Sequence, residues 1–363
     1  MATKRKGAKT AVNGVRKDTK VSSPDLNGVT AGTVAPALVD FYTILSLVMG
    51  GCCSNVWSYE QLLRMNPQIG SALTFSQMLF ITLQSLPTFV SFSGTSSIPS
   101  LKPRQVPLKQ WAIQVVMLTF GSLLNNWAYA YNVPLTLLIV FRSGGLAISM
   151  LLGFVVMKRR YSFLQVLSVL FVSAGVVLAT LSRPSGGSST QSLNPGQYAT
   201  GITMLVLSLT LTGFLGVLQE RTYSKYGPCW KEGVFYTHFL SLPIFLFLVS
   251  DIKQGLSSLH KSPSTSPTSQ ASTYLPYLIL GGNLLTQLAC VSGVNRLSSR
   301  VSSVSTNLVL TVRKALSLCF SVWWFGNGWN TQLAVGAGLV FLGSLMFPLV
   351  SQDGKQEKKG KKE

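Results

Sequence analysis

The chain has 363 residues; 47% are hydrophobic and 11% are charged, against about 25% charged in an ordinary soluble domain. Its mean hydropathy is +0.38 even though both ends are strongly polar, so the middle is far more apolar than the average, which excludes a pair of soluble domains. The net charge is +20, and 12 of the 30 Lys and Arg crowd the two ends, where they suit anionic headgroups better than nucleic acid, so no nucleic-acid partner is expected.

In chain order, residues 1–34 form a basic tail read as disordered, with Lys4, Arg5, Lys6, Lys9, Arg16, Lys17 and Lys20. A helix needs about 20 apolar residues to cross a bilayer. Ten segments qualify: 36–57, 69–92, 110–131, 134–156, 162–181, 198–219, 233–250, 273–294, 301–325 and 331–350. Asp40 and Glu60 flank the first, and the second has a Ser/Thr-rich end. The third holds Asn125, Asn126, Tyr129 and Tyr131, and the fourth holds FRSG at 141–144. The sixth ends in Gln219-Glu220-Arg221. The seventh holds Tyr236 and His238, the eighth Thr286 and Gln287, and the ninth Asn307 and TVRK at 311–314. The Ser-rich links Ser182–Pro195 and Ser257–Ser272 read as flexible. Residues 351–363 form a second basic tail. The expected class is therefore all-α integral membrane, one domain over 36–350 between two tails.

Ten crossings put both tails on one side. With that side cytosolic, 23 of the 30 Lys and Arg lie there, and only Arg64, Arg183, Lys253 and Lys261 lie opposite, as the positive-inside rule requires. Asn125-Asn126 and FRSG in the first half correspond to Thr286-Gln287 and TVRK in the second. Five helices per half would make the halves inverted repeats, about 36–181 and 198–350, an architecture of transporters with a site between the repeats.

The three remaining basic residues, Arg142, Arg313 and Lys314, lie inside apolar segments, where a charge costs at least a few kcal/mol. Their expected role is a cationic pocket for phosphates, with Arg as a bidentate fork and Lys as a point charge. Snorkelling or pairing with backbone carbonyls is the competing reading. Asn125, Asn126, Thr286, Gln287 and Asn307 suit a base or sugar hydroxyls, and equally suit interhelical hydrogen bonds. Tyr129, Tyr131 and Tyr236 can stack on a base or belong to an interfacial belt. Glu220 can contact a gate or sit at a solvated helix end. Gly50-Gly51, Gly144-Gly145, Gly336, Gly338 and Gly343 read as close-packing positions, within the chain or in a homodimer. Cys52, Cys53, Cys290 and Cys319 read as small helix residues and Cys229 as a loop residue. Neither a disulfide framework nor a metal site is expected. No cleavable signal peptide is expected, since the first apolar run starts near Ala35. The carboxylates offer little to a membrane-embedded glycosyltransferase, and no enzyme activity and no cofactor are expected. The last five residues, Lys359-Gly360-Lys361-Lys362-Glu363, match a KxKxx pattern resembling an endoplasmic-reticulum retrieval signal read by coat proteins.

These stretches together resemble nucleotide-sugar transporters of the drug/metabolite transporter superfamily, most closely the UDP-N-acetylglucosamine and UDP-xylose branch. The resemblance runs over about 36–350. It is carried by Gly50-Gly51-Cys52-Cys53-Ser54-Asn55, Leu73 to Phe80, Asn125-Asn126, FRSG, Lys158-Arg159-Arg160-Tyr161-Ser162, Gln219-Glu220, Lys231-Glu232 with Phe235-Tyr236, and TVRK. It implies two inverted five-helix repeats with alternating access. It also implies exchange of a cytosolic nucleotide sugar, UDP-N-acetylglucosamine, for lumenal UMP across an endoplasmic reticulum or Golgi membrane. Phosphates are expected on Arg142, Arg313 and Lys314. The base and sugar are expected near Asn125, Asn126, Tyr129, Ser143, Gln287 and Asn307, with Glu220 and Tyr236 at a gate. Other phosphate ligands, such as UDP-xylose, ATP/ADP or adenylyl sulfate, suit the same cations.

Overall fold

The computed structural model describes residues 31–92, 99–131, 133, 135–158, 160–181, 195–260, 271–301, 303–325 and 331–360. Residues 1–30, most of both Ser-rich links, and residues 361–363 with their two lysines lie outside them. The chain divides into two compact units, Met1–Phe41 and Tyr42–Glu363. The described part of the first is the opening of helix α1. Everything below concerns the second.

Almost all of it is helix. α1 (Ala31–Ser46) runs through a π turn (Leu47–Gly51) into α2 (Cys52–Met65), followed by α3 (Gly70–Phe89) and α4 (Leu108–Ala128). Next come α5 (Leu135–Ser143), α6 (Gly145–Met157), α7 (Phe163–Leu181) and α8 (Pro195–Tyr226). α9 (Trp230–Phe239), a 3-10 stretch (Leu242–Leu248) and α10 (Val249–His260) form one run. α11 (Ala271–Ser298), α12 (Ser303–Phe325) and α13 (Thr331–Gly360) complete the chain. Helix is the only local solution that satisfies every backbone group without water or a neighbouring strand. Among the described residues, five helical stretches are long and apolar enough to cross a membrane: Val39–Met65, Leu137–Val155, Gly196–Tyr226, Trp230–Leu259 and Tyr274–Ser298. Large side chains such as Phe163, Phe247 and Trp323 are exposed at 79%, 91% and 75%. Such patches are unfavourable in water and neutral against lipid tails.

Glycines set the closest approaches. A Cβ on Gly175 or Gly336 would come within 2.8 Å of the facing backbone, and one on Gly343 would lie 2.7 Å from the Ser168 carbonyl, so α7 and α13 meet backbone to backbone. Gly51 meets Ala289 and Gly293 meets Leu47 in the same way, joining the π turn to α11. Gly50 and Gly338, expected to pack similarly, face open space.

Several expectations need correction. The first segment does not end at 57: the helix continues to Met65 because Glu60 is buried and paired with Arg64 one turn later, at 3.0 Å. The second segment stops being helical at Phe89. Val90–Phe92 and Pro99–Leu101 form a short antiparallel hairpin, with Val90 opposite Leu101. Ser257 to His260 are helical rather than part of a flexible link, and residues 351–360 continue α13. Cys52 and Cys290 are joined as a disulfide, with Cα atoms 4.6 Å apart. They are 238 residues apart in sequence, so only the packing of α2 on α11 brings them together.

Candidate functional site

The fourth apolar segment is broken, and the break builds the site. Gly144 (φ −65°, ψ −3°) interrupts the helix, and its N–H donates to the Phe141 carbonyl at 2.9 Å. α5 therefore ends with Arg142 in its last turn. α12 packs against α5. The Lys314 ammonium donates to the Arg142 carbonyl, one of those left without a helical partner at the end of α5. An ammonium has three donors, so this contact leaves donors for a ligand. Arg313, Lys314 and Arg142 act on one another electrostatically. Arg142 is exposed, Lys314 half-buried. Arg313 Nε is buried and makes no hydrogen bond among the described residues. Three cations within electrostatic reach repel one another, and an anion among them would relieve that repulsion.

Beside Arg142 stands a polar cluster built on α2, α3 and α4. The Tyr59 hydroxyl, within electrostatic reach of Arg142, donates to Asn126 Oδ1 at 2.8 Å. Asn126 Nδ2 donates to Thr74 Oγ1 at 2.7 Å, and Thr74 in turn donates to the Gly70 carbonyl at 2.8 Å. Because the Thr74 proton is committed to that carbonyl, its oxygen must accept, which fixes the Asn126 amide. Asn125 Nδ2 then donates to Asn126 Oδ1 at 3.2 Å. Asn125 Oδ1 is left buried and without a partner among the described residues. The two asparagines thus differ: Asn126 is spent on helix packing, while Asn125 holds a vacant acceptor. Such an acceptor is costly unless a ligand supplies a donor.

Tyr129 is half-buried next to Tyr59 and feels the Glu60–Arg64 pair. Asn307 Nδ2 donates to Ser149 Oγ on α6 at 3.2 Å. Gln287 is half-buried on α11. The Ser143 side chain lies outside the described structure. Tyr236 is 2% exposed and lies in an aromatic cluster with Phe89 and Phe235, with Arg104 above its ring at 6.0 Å. Glu220 is half-buried in the last two turns of α8. Neither has a described contact with the cationic cluster. His238 is satisfied locally, its Nδ1 bonded to the Val234 carbonyl at 2.7 Å.

Three features escaped sequence reasoning. Asn283, fully buried on α11, accepts from Gln77 at 2.8 Å and donates to Ser58 Oγ at 3.1 Å, tying α11 to α3 and α2. Glu60 Oε2 accepts from Ser321 of α12 at 2.7 Å. Glu232 accepts from the Gln105 and Val106 N–H groups and from Trp111 Nε1, at 2.9 to 3.1 Å, fastening α9 to the link before α4. Gln77 and Glu232 fall within the stretches quoted for the resemblance, the one sequence signal that touched them. Nearby, burial, with the Glu232 carboxylate adding to it, pushes the Cys229 thiol up to about 11.

The model of the UAA transporter family matches residues 40–351. The UDP-N-acetylglucosamine transporter YEA4 of Saccharomyces cerevisiae is 36% identical over 331 residues, 87% of this chain and 96% of its own. The UDP-xylose and UDP-N-acetylglucosamine transporter of Danio rerio is 36% identical over 315 residues, 84% and 92% of the two chains. The nucleotide sugar transporter SLC35B4 of Homo sapiens is 34% identical over 311 residues, with the same coverage. A solved crystal structure shares the fold alone, with a TM-score of 0.50 at 16% identity over 84% of this chain and 98% of that one. This chain belongs to the UAA transporter family, whose members are membrane transporters and not enzymes.

Proposed function

We propose that the chain is a nucleotide-sugar antiporter that moves UDP-N-acetylglucosamine from the cytosol to the lumen of the endoplasmic reticulum or Golgi apparatus in exchange for UMP. The substrates named for its relatives support the UDP sugar. In this reading ten stretches cross the membrane as two inverted repeats, 36–181 and 198–350. Both termini are cytosolic, and the last lysines serve retrieval through a coat protein. The charge asymmetry of the links supports that orientation.

The observation that carries the reading is the meeting of Lys314 with the end of α5, which gathers Lys314, Arg313 and Arg142. The diphosphate lies on these three cations, with Arg142 and Arg313 as forks. The uracil N3–H donates to Asn125 Oδ1, the vacant acceptor beside Arg142. The ribose and sugar are assigned to Tyr129, Ser143, Gln287 and Asn307. Asn126 shapes the base site from behind, and Tyr236 and Glu220 act at the cytosolic gate. Exchange follows from charge. An empty tricationic pocket reorients slowly, whereas a bound anion neutralises it and permits the switch.

The test is uptake of radiolabelled UDP-N-acetylglucosamine by liposomes containing the purified protein and preloaded with UMP. Competitors are UDP-xylose, ATP, adenylyl sulfate, and GDP and CMP sugars. Uptake that needs internal UMP and yields only to uridine nucleotides supports the proposal. Equal uptake by empty vesicles removes the antiport, and competition by ATP alone removes the uridine specificity.

A further inference from the structure

The basic link Lys158 to Ser162, which joins α6 to α7, is left unused by the transport reading. Next to it opens a groove of about 460 Å³. One wall runs from Ala147 to Phe154 on α6, and the other from Tyr161 in the link to Ser173 on α7. Seven of its nine lining residues are apolar. Leu151, Phe154 and Val166 are exposed at 56%, 59% and 40%, so the groove is open along its length. From Val166 to Ser173 on α7, and from Ala147 to Phe154 on α6, each wall rises about 10 Å. The groove thus spans about two-thirds of one leaflet of a hydrocarbon core about 30 Å thick.

Its mouth is basic. Lys158 and Arg160 are both exposed. Lys158 caps α6 in the left-handed conformation (φ 53°), with its N–H turned back to the Gly153 carbonyl, a position where glycine is the usual residue. No Asp or Glu occurs anywhere between Glu60 and Glu220, so α6, the link and α7 carry no acidic side chain of their own. An apolar slot contained within one leaflet, ending in two cations at the membrane surface, matches one kind of occupant.

We propose that this groove holds an acyl chain of an anionic phospholipid whose phosphate pairs with Lys158 and Arg160. The occupant lies against the second arm of the broken α5–α6 helix. Ile148, in the groove wall, fills the space over Gly213 of α8, and its neighbour Ser149 is bonded to Asn307 of α12. The lipid therefore touches the arm that links the surface to the helix carrying Arg313 and Lys314.

The test reads lipid binding directly, independently of transport. The purified full chain in detergent is offered equal amounts of phosphatidylinositol, phosphatidylserine and phosphatidylcholine, and the bound lipid is counted by native mass spectrometry. The two anionic lipids are expected to exceed phosphatidylcholine about thirtyfold, the preference two basic side chains near a membrane surface provide. Lys158→Asn with Arg160→Gln, which retains a residue tolerant of the left-handed conformation, is expected to abolish the preference. Leu151→Trp, at an exposed position, is expected to fill the groove and lower binding of all three lipids. Lys102→Gln with Lys109→Gln is expected to leave binding unchanged. Equal binding of all three lipids by the wild type would overturn the proposal. So would a preference that survives the Lys158/Arg160 change, or a Leu151→Trp effect seen only as loss of a dimer.

Discussion

Replacing Lys314 by methionine separates a ligand-binding cation from a structural one. The substitution keeps the length and apolar stem and removes only the charge. In the empty protein Lys314 is held among Arg142 and Arg313, with one hydrogen bond to a carbonyl. Losing that bond costs about 1.5–3 kcal/mol, while removing an ammonium from the membrane interior returns about the same or more. The variant should therefore melt at or above the wild-type temperature. Towards a diphosphate the balance reverses. A unit-charge pair at 4 Å is worth about 4 kcal/mol at an effective dielectric of 20, and desolvation of the partners offsets about half of it. A net loss of about 2 kcal/mol predicts affinity for UDP-N-acetylglucosamine weakened about thirtyfold. Titration calorimetry and thermal unfolding on the same preparation measure both quantities. Wild-type affinity in a destabilised Lys314→Met protein would refute the reasoning and make the lysine a cap for α5.

The two adjacent asparagines should part in the same assays. Asn125→Leu is expected to raise KM about tenfold with little change in melting, because one ligand bond is lost. Asn126→Leu is expected to lower stability by about 2–4 kcal/mol by orphaning Tyr59 and Thr74, visible in thermal unfolding without ligand. Glu232→Ala leaves two backbone N–H groups and an indole N–H without their acceptor. It should cost about 3 kcal/mol and speed proteolysis around Lys102 and Arg104. The Cys229 thiol sits at about 11, against an ordinary value of 9.0. Since the thiolate is the nucleophile, alkylation should stay slow at pH 8 and accelerate toward pH 11, and Glu232→Gln should shift that rise to lower pH.

The cations were legible because a charge in an apolar run is a local anomaly. What a single sequence does not carry is which anomalies meet. Lys314 and Arg142 are 172 residues apart, and only the packing of α12 on α5 joins them. Asn125 and Asn126 look alike in sequence, yet they point about 100° apart around a helix of 3.6 residues per turn. Thr74 and Tyr59, on other helices, decide which of them is spent. Glu60 seemed to end the first segment because a hydropathy run stops at a carboxylate. The helix continues because Arg64, one turn on, and Ser321, from α12, satisfy that carboxylate. Tyr236 shows the converse: an aromatic in an apolar run does not reveal its neighbours, and only the packing of α3 on α9 sets it against Phe89, beside Phe235.

The disulfide between α2 and α11 closes 238 residues of chain into a covalent ring. A protease cut between α7 and α8 would open that ring without dividing the molecule. On a gel without reductant the nicked protein should run as one species, and with reductant as two fragments.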